Sequence, residues 1–445
     1  MSPPASNLLL PLREGPASST SLVRALQLPR PTLNRALQNL LRSGEVMKVG
    51  APRGARYALP RMVAGAGSTW PVYQVDPAGR VHQFGRLDAL MPRHFHFETP
   101  HAALRGLTEG LPWFLHALKP SGFLARASKL PPRAPTEAAG ACADDADLAW
   151  FTREGWDAPG DLIVGAEALE AWRAARVHRA VIDGRDRPRH YMRRAEAVLE
   201  GGGHASAQMP GDSPKFTALT DHGGHRVHVV VKFSPPLDTP EGQRAGERLF
   251  AEHLAHVYLN ARGVCAVHSR VFRFGGRIFL EVDRFDRVGA EGRRAVASLA
   301  SLGLRGIDGQ WGWSQAAAHL ASAGVLPKND ARQIRLMEAF SALIGNRQRQ
   351  ADDLGFFHRP DGRLALAPAY DITPAVFHGE GVVAGFEPPS QPPILADVWL
   401  QARRLAEGFW ERLAAETQFS TPFRESCAQA LKALRSARPE QALAG

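Results

Sequence analysis

Cysteine is scarce: Cys142, Cys265 and Cys427 are the only three in 445 residues. They are far apart and odd in number, which excludes a disulfide framework or a thiolate zinc cluster and fits a reducing, cytoplasmic interior. Long apolar runs are missing as well. No uninterrupted run of about 18 apolar residues is present to cross a membrane. The opening MSPPASNLLLPLREG lacks the basic region that precedes the apolar run of a secretion signal. Acidic residues are outnumbered, 44 against 54 Lys and Arg, for a formal charge of +10. That excess favours polyanionic partners, although an arginine-rich composition alone produces the same balance. What is present is a chain 44% hydrophobic, enough for two or three domains with cores of their own.

Residues 21–60 hold the most regular pattern. In Ser21–Leu28, Leu22, Leu26 and Leu28 predict a short helix capped by Ser19, Thr20 or Ser21. Pro29 breaks it. A second helix starts at Pro31, a residue suited to a first turn, with Leu33, Leu37, Leu40 and Leu41 inward. Its outer side presents Thr32, Asn34, Arg35 and Gln38, short enough to enter a groove and able to hydrogen-bond base edges. Gly44 ends this helix, and Val46, Val49, Tyr57 and Leu59 predict two strands around a loop tipped by Arg53 and Arg56. Helix, turn, helix and basic hairpin in this order describe a winged helix-turn-helix over residues 1–65. Positions 1–60 carry eight basic and two acidic residues, more than half the chain's net excess. Double-stranded DNA is the partner this implies, with Arg53 and Arg56 as phosphate or minor-groove contacts. A winged helix that binds protein is the alternative. Two modules on a palindrome would favour a homodimer.

Farther on, Pro71–Phe84 alternates as a hairpin turning at Asp76–Gly79. Residues 119–160 read as loops around a modest helix, and Ala166–Arg179 and Arg189–Glu200 predict helices. His94 and His96 share a strand face, but neither His101 nor His116 supplies a suitably spaced third zinc ligand. A glycine-containing segment then leads into HRVHVVVKFSP, a strand interrupted by Lys232. A lysine inside VVVKF is costly unless its ammonium meets an anion or a carboxylate. The bland alternative is a surface lysine on an alternating strand. Glu247 and Glu252 on the next helical segment are candidate partners, Glu252 first because it lies in the amphipathic part. A glycine loop over phosphates, with a strand lysine on their oxygens, is the arrangement of nucleotide-dependent kinases. RVFRFGGRIFLEVDRFDR predicts a hairpin through Gly275–Gly276. Glu281, Val282 and Asp283 then lie where a bilobal kinase holds adenine by backbone groups.

In this order the pieces resemble the HipA family of serine/threonine kinases. The motifs are PGDLIVG at Pro159–Gly165, SPKF at Ser213–Phe216, VVKF around Lys232, DRFDR at Asp283–Arg287, LIGN at Leu343–Asn346 and LAPAYDI at Leu366–Ile372. With a winged helix fused in front, the chain resembles the YjjJ-type branch. The resemblance implies an α+β fold in which a bilobal kinase-like body follows the winged helix-turn-helix. Its N-terminal lobe would occupy 66–283 and its mainly helical C-terminal lobe 284–445, with ATP and Mg²⁺ as cofactors.

The family's catalytic segment has the form Asn-x-Asp-x-His-x-x-Asn, with a further Asp after Ala-Pro-x-Tyr. The first Asp serves the acceptor hydroxyl, the later Asn and Asp hold Mg²⁺, and the strand lysine contacts phosphate. By this resemblance Asn346 matches the opening Asn, Gln348 stands at the acid position, Gln350 at the His position and Asp353 at the metal-binding Asn position. Asp371 matches the later metal Asp and Lys232 the phosphate lysine. A neutral amide accepts a hydrogen bond but cannot act as a base, whereas Asp353 is a hard oxygen ligand suited to Mg²⁺. Asp352 and Asp353 are candidates to replace the missing acid. Ser206 and Ser213 lie near the family's autophosphorylated serine, in a different glycine pattern. Two readings stand. One is a toxin-like, DNA-binding, ATP-dependent protein kinase, acting on a protein such as an aminoacyl-tRNA synthetase, with catalysis weakened or retained. The other is a pseudokinase serving as a nucleotide-responsive DNA-binding transcriptional regulator. The Lys232–Asp371 pair disfavours a plain winged-helix regulator with an unrelated ligand domain.

Overall fold

The computed structural model describes residues 5–50, 54–63, 65–116, 123, 143–200, 211, 213–303, 311–346, 349–374 and 386–437. Its first core is built of leucine. Leu8 and Leu12 of α1 (Ala5–Arg13), Leu22 of α2 (Ser19–Leu26) and Leu33, Leu37 and Leu40 of α3 (Arg30–Ser43) are buried together with Val46. Ser18 caps α2, its Oγ accepting the Ser21 N–H at 3.1 Å, so the cap falls one residue before the expected candidates. Pro31 lies in the first turn of α3, and the helix stops at Gly44, whose φ of 78° suits a residue without a Cβ. Strands β1 (Met47–Val49) and β2 (Arg56–Ala58) pair antiparallel, and Ala17 exchanges two backbone hydrogen bonds with Tyr57 on the other side of β2.

This unit is fastened to the next part of the chain. Val49 and Ala58 pack on Leu90, the Met91 N–H donates to the Leu59 carbonyl at 2.9 Å, and Arg61 pairs with Asp145. The sheet beneath runs β6-β5-β4-β3-β7, from β3 (Thr69–Val75), β4 (Val81–Leu90), β5 (His94–Glu98), β6 (Gly106–Glu109) and β7 (Leu162–Val164). The Asp76 carboxylate holds the β3–β4 turn by accepting the N–H groups of Ala78 and Arg80 at 2.8 and 2.9 Å. Helix α4 (Ala166–His178) buries Leu169 and Trp172 against Val75 and Ile163.

A second five-stranded sheet begins at β8 (Val181–Ile182). After α5 (Arg187–Leu199) it takes in β9 (Lys215–His222), β10 (His225–Phe233), β11 (Ser269–Phe274) and β12 (Arg277–Asp283), in the order β11-β12-β10-β9-β8. The stretch expected as one lobe, 66–283, therefore contains two sheets. Strands β7 and β8 have three and two residues, too short for alternation to mark them. Gly275 and Gly276, at φ 56° and 68°, make the two-residue turn between β11 and β12. Helix α6 (Pro240–Asn260) covers one face through Leu249 on Leu280 and Val282. Helix α5 covers the other, with Tyr191 among Phe216, Val229, Val231 and Phe279.

DRFDR and PGDLIVG meet where the two sheets join. Arg284 reaches Asp157 at 3.2 Å and Asp286 at 2.9 Å, and Arg287 reaches the same two acids at 2.8 and 2.6 Å. The Gly160 N–H donates to Asp286 at 3.0 Å, and all four charged side chains are buried. Beyond this joint come the hairpin β13 (Arg287–Val288) and β14 (Gly292–Arg293), and a small sheet of β15 (Val296–Ser298), β16 (Gly355–His358) and β17 (Leu364–Leu366). Helices α7 (Trp313–Ser322), α8 (Lys328–Leu343), α9 (Ala396–Ala415) and α10 (Thr421–Ser436) pack around Phe340, Trp399, Phe409 and Trp410. No helix among the described residues is long and apolar enough to cross a membrane.

Candidate nucleotide and metal site

Antiparallel register puts Lys232 of β10 opposite Leu280 on one side and Lys215 of β9 on the other, so all three share the face toward α6. The Lys232 ammonium donates to Glu252 Oε1 at 2.7 Å and to Asp371 Oδ1. Of the two glutamates considered as partners, Glu247 turns elsewhere and accepts the Ser420 N–H at 2.7 Å. Lys232 and Glu252 are buried, while the Asp371 side chain is 28% exposed, giving the cluster one open side. Burial alone would depress the Lys232 ammonium, but Asp371 and Glu252 outweigh it and raise its pKa. Burial likewise opposes ionisation of Asp371, yet Lys232, aided by Lys215, holds that carboxyl well below the usual range. Glu252 is pushed up to about 7 by burial, which Lys232 only partly offsets.

Asp371 adopts φ 54°, a left-handed backbone that is uncommon outside glycine and costs roughly 1–3 kcal/mol wherever the surroundings enforce it. The enforcement is visible: the Ala369 N–H donates to the Cys265 carbonyl and the Val267 N–H to the Ala369 carbonyl, both at 3.0 Å. The Tyr370 hydroxyl donates to the Asp352 carbonyl. The segment before Asp371 is thus tied to the chain leaving α6 and to the loop after α8.

In that loop, Asn346 is buried, with its N–H donating to the Ser341 carbonyl at 2.9 Å, and Gln350 is exposed. Gln348 lies outside the described residues, as does Arg53. Asp352, one candidate replacement for the acid, accepts the Ser298 hydroxyl at 2.7 Å on one carboxylate oxygen. Asp353 accepts the Gln350 N–H at 2.8 Å, and burial together with the charge of Asp371 pushes its pKa up to about 7. No ion pair of Asp353 occurs among the described residues. Nor is any group of three or more Cys, His, Asp or Glu gathered for a metal among them. Two mutually repelling carboxylates, Asp353 and Asp371, are a donor set that fits Mg²⁺, which takes one or two carboxylates and completes its shell with water and phosphate oxygens.

The residues expected to meet adenine, Glu281, Val282 and Asp283, lie at the end of β12. Glu281 is opposite Val231 and therefore on the face away from Lys232. Its carboxylate is buried beside α5, 2.6 Å from Arg187 Nε, and accepts the Tyr191 hydroxyl. Strand β12 is interior, with Glu281 and Val282 paired to β10 on one side and β11 on the other. Their backbone groups are engaged in the ladder, and the Asp283 N–H donates to the His268 carbonyl at 2.9 Å. Lys215 is the residue that reading the sequence missed. Its signal lay in SPKF, but only strand register places it beside Lys232. On the N-terminal unit, Asn34, Arg35 and Gln38 are exposed on α3 opposite its leucines, and Thr32 is half-buried. Arg56 is exposed, with Nη1 donating to the Pro16 carbonyl at 3.3 Å.

The YjjJ-like toxin middle-domain family matches residues 66–173, and the HipA-like C-terminal domain family matches residues 207–438. Toxin YjjJ of Escherichia coli (strain K12) is 30% identical over 421 residues, covering 93% of this chain and 94% of that protein. The HipA of Shewanella oneidensis MR-1, solved with HipB and its operator DNA, is similar in fold, with a TM-score of 0.50 and 13% identity over 82% of this chain and 96% of its own. The carboxylate–lysine cluster thus sits in a body with known relatives, and the chain belongs to the HipA/YjjJ family of toxin-kinase folds.

Proposed function

We propose that the protein binds Mg-ATP at the Lys232–Asp371 cluster and is a HipA-like, toxin-like serine/threonine protein kinase whose phosphoryl transfer is weakened by Gln348. The observation that carries this reading is a single buried ammonium joining two acids from separate elements, Glu252 of α6 and Asp371 of the APAY loop. Lys232 and Lys215 would meet phosphate oxygens, and Asp371 and Asp353 would hold the metal. Bound Mg²⁺ would neutralise charge on the transferring phosphoryl group. In transfer, the acceptor hydroxyl oxygen bonds to the γ-phosphorus, the bond to the β-phosphate oxygen breaks, and the hydroxyl proton must leave. Gln348 cannot take that proton. Positioning and electrostatics remain, so activity falls without vanishing. The acceptor would be a protein hydroxyl.

The pseudokinase reading draws support from Gln348, a neutral amide at the acid position, and from Asp352, one of whose carboxylate oxygens is already engaged by the Ser298 hydroxyl. In either case α3 would enter the major groove of double-stranded DNA, with Thr32, Asn34, Arg35 and Gln38 toward base edges and Arg53 and Arg56 toward phosphates. The Shewanella HipA was solved with a separate HipB and operator DNA. Here the DNA contact would come from within the chain, and a palindromic site would engage a homodimer.

Calorimetry on the folded protein should detect Mg-ATP, with Lys232→Ala weakening binding and Asp371→Ala removing its Mg²⁺ dependence. No binding at millimolar ATP would end the nucleotide-site reading. A radiolabelled-ATP time course then separates the two functions. Gln348→Asp, alone and with Gln350→His and Asp353→Asn, should raise autophosphorylation by about 10²–10⁴-fold, the usual contribution of a general base. Strong transfer by the unaltered chain with no gain on restoration would assign the work to another group. Failure of every variant despite bound ATP would favour the pseudokinase.

A further inference from the structure

We propose that Arg349, seated on Trp313 and Glu338, is the positioning residue that presents the Asp353 carboxylate to Mg²⁺; the proposal rests on the nucleotide-site reading above. The anchor is Glu338 of α8. Its Oε2 accepts the Ser314 N–H at 2.8 Å and also the Ser314 hydroxyl, fixing the first turn of α7. A Cβ on Gly312 would come within 3.1 Å of Glu338 Oε1, so the start of α7 is pressed against this carboxylate. The same Oε1 faces Arg349 Nη2 at 3.4 Å.

Arg349 is held a second time, its guanidinium lying 5.5 Å from the centroid of the Trp313 ring. That indole donates its Nε1–H to the Gln350 carbonyl at 3.1 Å. Two consecutive loop residues are therefore fastened to one side chain of α7. The other backbone group of Gln350, its N–H, donates to Asp353 Oδ2 at 2.8 Å. The line runs from Glu338 of α8, through Arg349 and Trp313, to the orientation of the Asp353 carboxylate. An arginine suits this role because it is planar and permanently charged, stacking and pairing at once, whereas lysine would keep only the charge. Partners that orient a metal ligand are commonly worth about 10–100-fold in metal affinity.

The test uses the full chain and a non-hydrolysable ATP analogue, titrated calorimetrically with and without Mg²⁺; the ratio of the two dissociation constants is the Mg²⁺ increment. Arg349→Ala should cut that increment by about tenfold or more, with metal-free affinity changed less than about twofold. Arg349→Lys should fall between, and Arg349→Gln carries the same expectation as alanine should the alanine variant not fold. Asp353→Ala removes both the acceptor for the Gln350 N–H and the metal ligand, so it should lose the increment, and Arg349→Ala placed on top should add almost nothing. A full increment in Arg349→Ala, or losses that add in the double variant, would overturn the proposal while leaving the nucleotide site standing. No nucleotide binding by the unaltered chain, with or without Mg²⁺, would overturn the nucleotide reading and this proposal with it.

Discussion

Asp161, at the entry to β7, is buried, and one of its carboxylate oxygens accepts Gln74 Nε2 at 2.7 Å. Burial outweighs that bond and the more distant Arg293 and Arg287, pushing its pKa up to about 6. Because the folded value exceeds the unfolded value of about 3.9, the native state holds the extra proton between about pH 4 and 6. Ionisation above pH 6 therefore costs stability, and the cost disappears as pH falls toward 4. A displacement of this size corresponds to roughly 2–3 kcal/mol. Asp161→Asn keeps a polar group for Gln74 and should raise the urea midpoint at pH 7.5, with the gain gone near pH 4; a pH-independent difference would contradict this account. The same physics made Lys232 stand out in the sequence, since an ammonium within VVVKF is costly unless it meets an anion or a carboxylate. Lys215 and Arg349 gave no comparable signal. Their roles depend on strand register and on where a loop lies relative to α7.

Element by element, periodicity served where one face is buried and failed where an element is short or fully enclosed. The leucine spacing of α3 gave both its extent and its outward face, and the Gly275–Gly276 turn gave the β11–β12 hairpin. Helix α1 was passed over because its apolar run was weighed only as a secretion signal. Strand β12 was located, but nothing in EVD shows that both its edges are occupied, with Glu281 and Val282 paired to β10 on one side and β11 on the other. For α3 the fold also changes the experiment. Deleting the N-terminal unit would strip Val49 and Ala58 from Leu90 and the Leu59 carbonyl from Met91, confounding any loss of DNA binding. Single exchanges avoid this. Arg56→Ala, at the exposed hairpin beside α3, should weaken duplex binding and lower the slope of log affinity against log salt by about one unit, because a phosphate contact is lost. Gln38→Ala should weaken binding to the preferred sequence with the slope kept. Fluorescence anisotropy across a salt series measures both, and an unchanged slope and affinity in each variant would move the DNA surface off α3 and the β1–β2 hairpin.

Across the whole molecule, the joint between the two sheets decides whether they unfold as one body. Asp157 and Asp286 are shared by Arg284 and Arg287, with Arg179 and Arg293 close enough to be perturbed by the same charges. Burial opposes ionisation of Asp157, but the arginines outweigh it and hold its carboxyl well below the usual range. His228, beside them, is depressed to about 3 by burial and accordingly neutral, so it adds no cation. A buried network with this many guanidinium groups tolerates the loss of an acid poorly. Asp157→Ala leaves Arg284 and Arg287 with Asp286 alone, and breaking a buried pair in this way typically costs about 3–5 kcal/mol. Since Asp157 belongs to the first sheet's surroundings and both arginines to the exit of β12, the variant should lower one common calorimetric transition if the sheets are cooperative. The unaltered chain and a conservative Asp157→Asn variant, which keeps an acceptor but not the charge, bracket the electrostatic share. A split into two transitions, with only one displaced, would show that the joint fastens two independently stable bodies. A midpoint unchanged in Asp157→Ala would show that the remaining carboxylate suffices for both arginines.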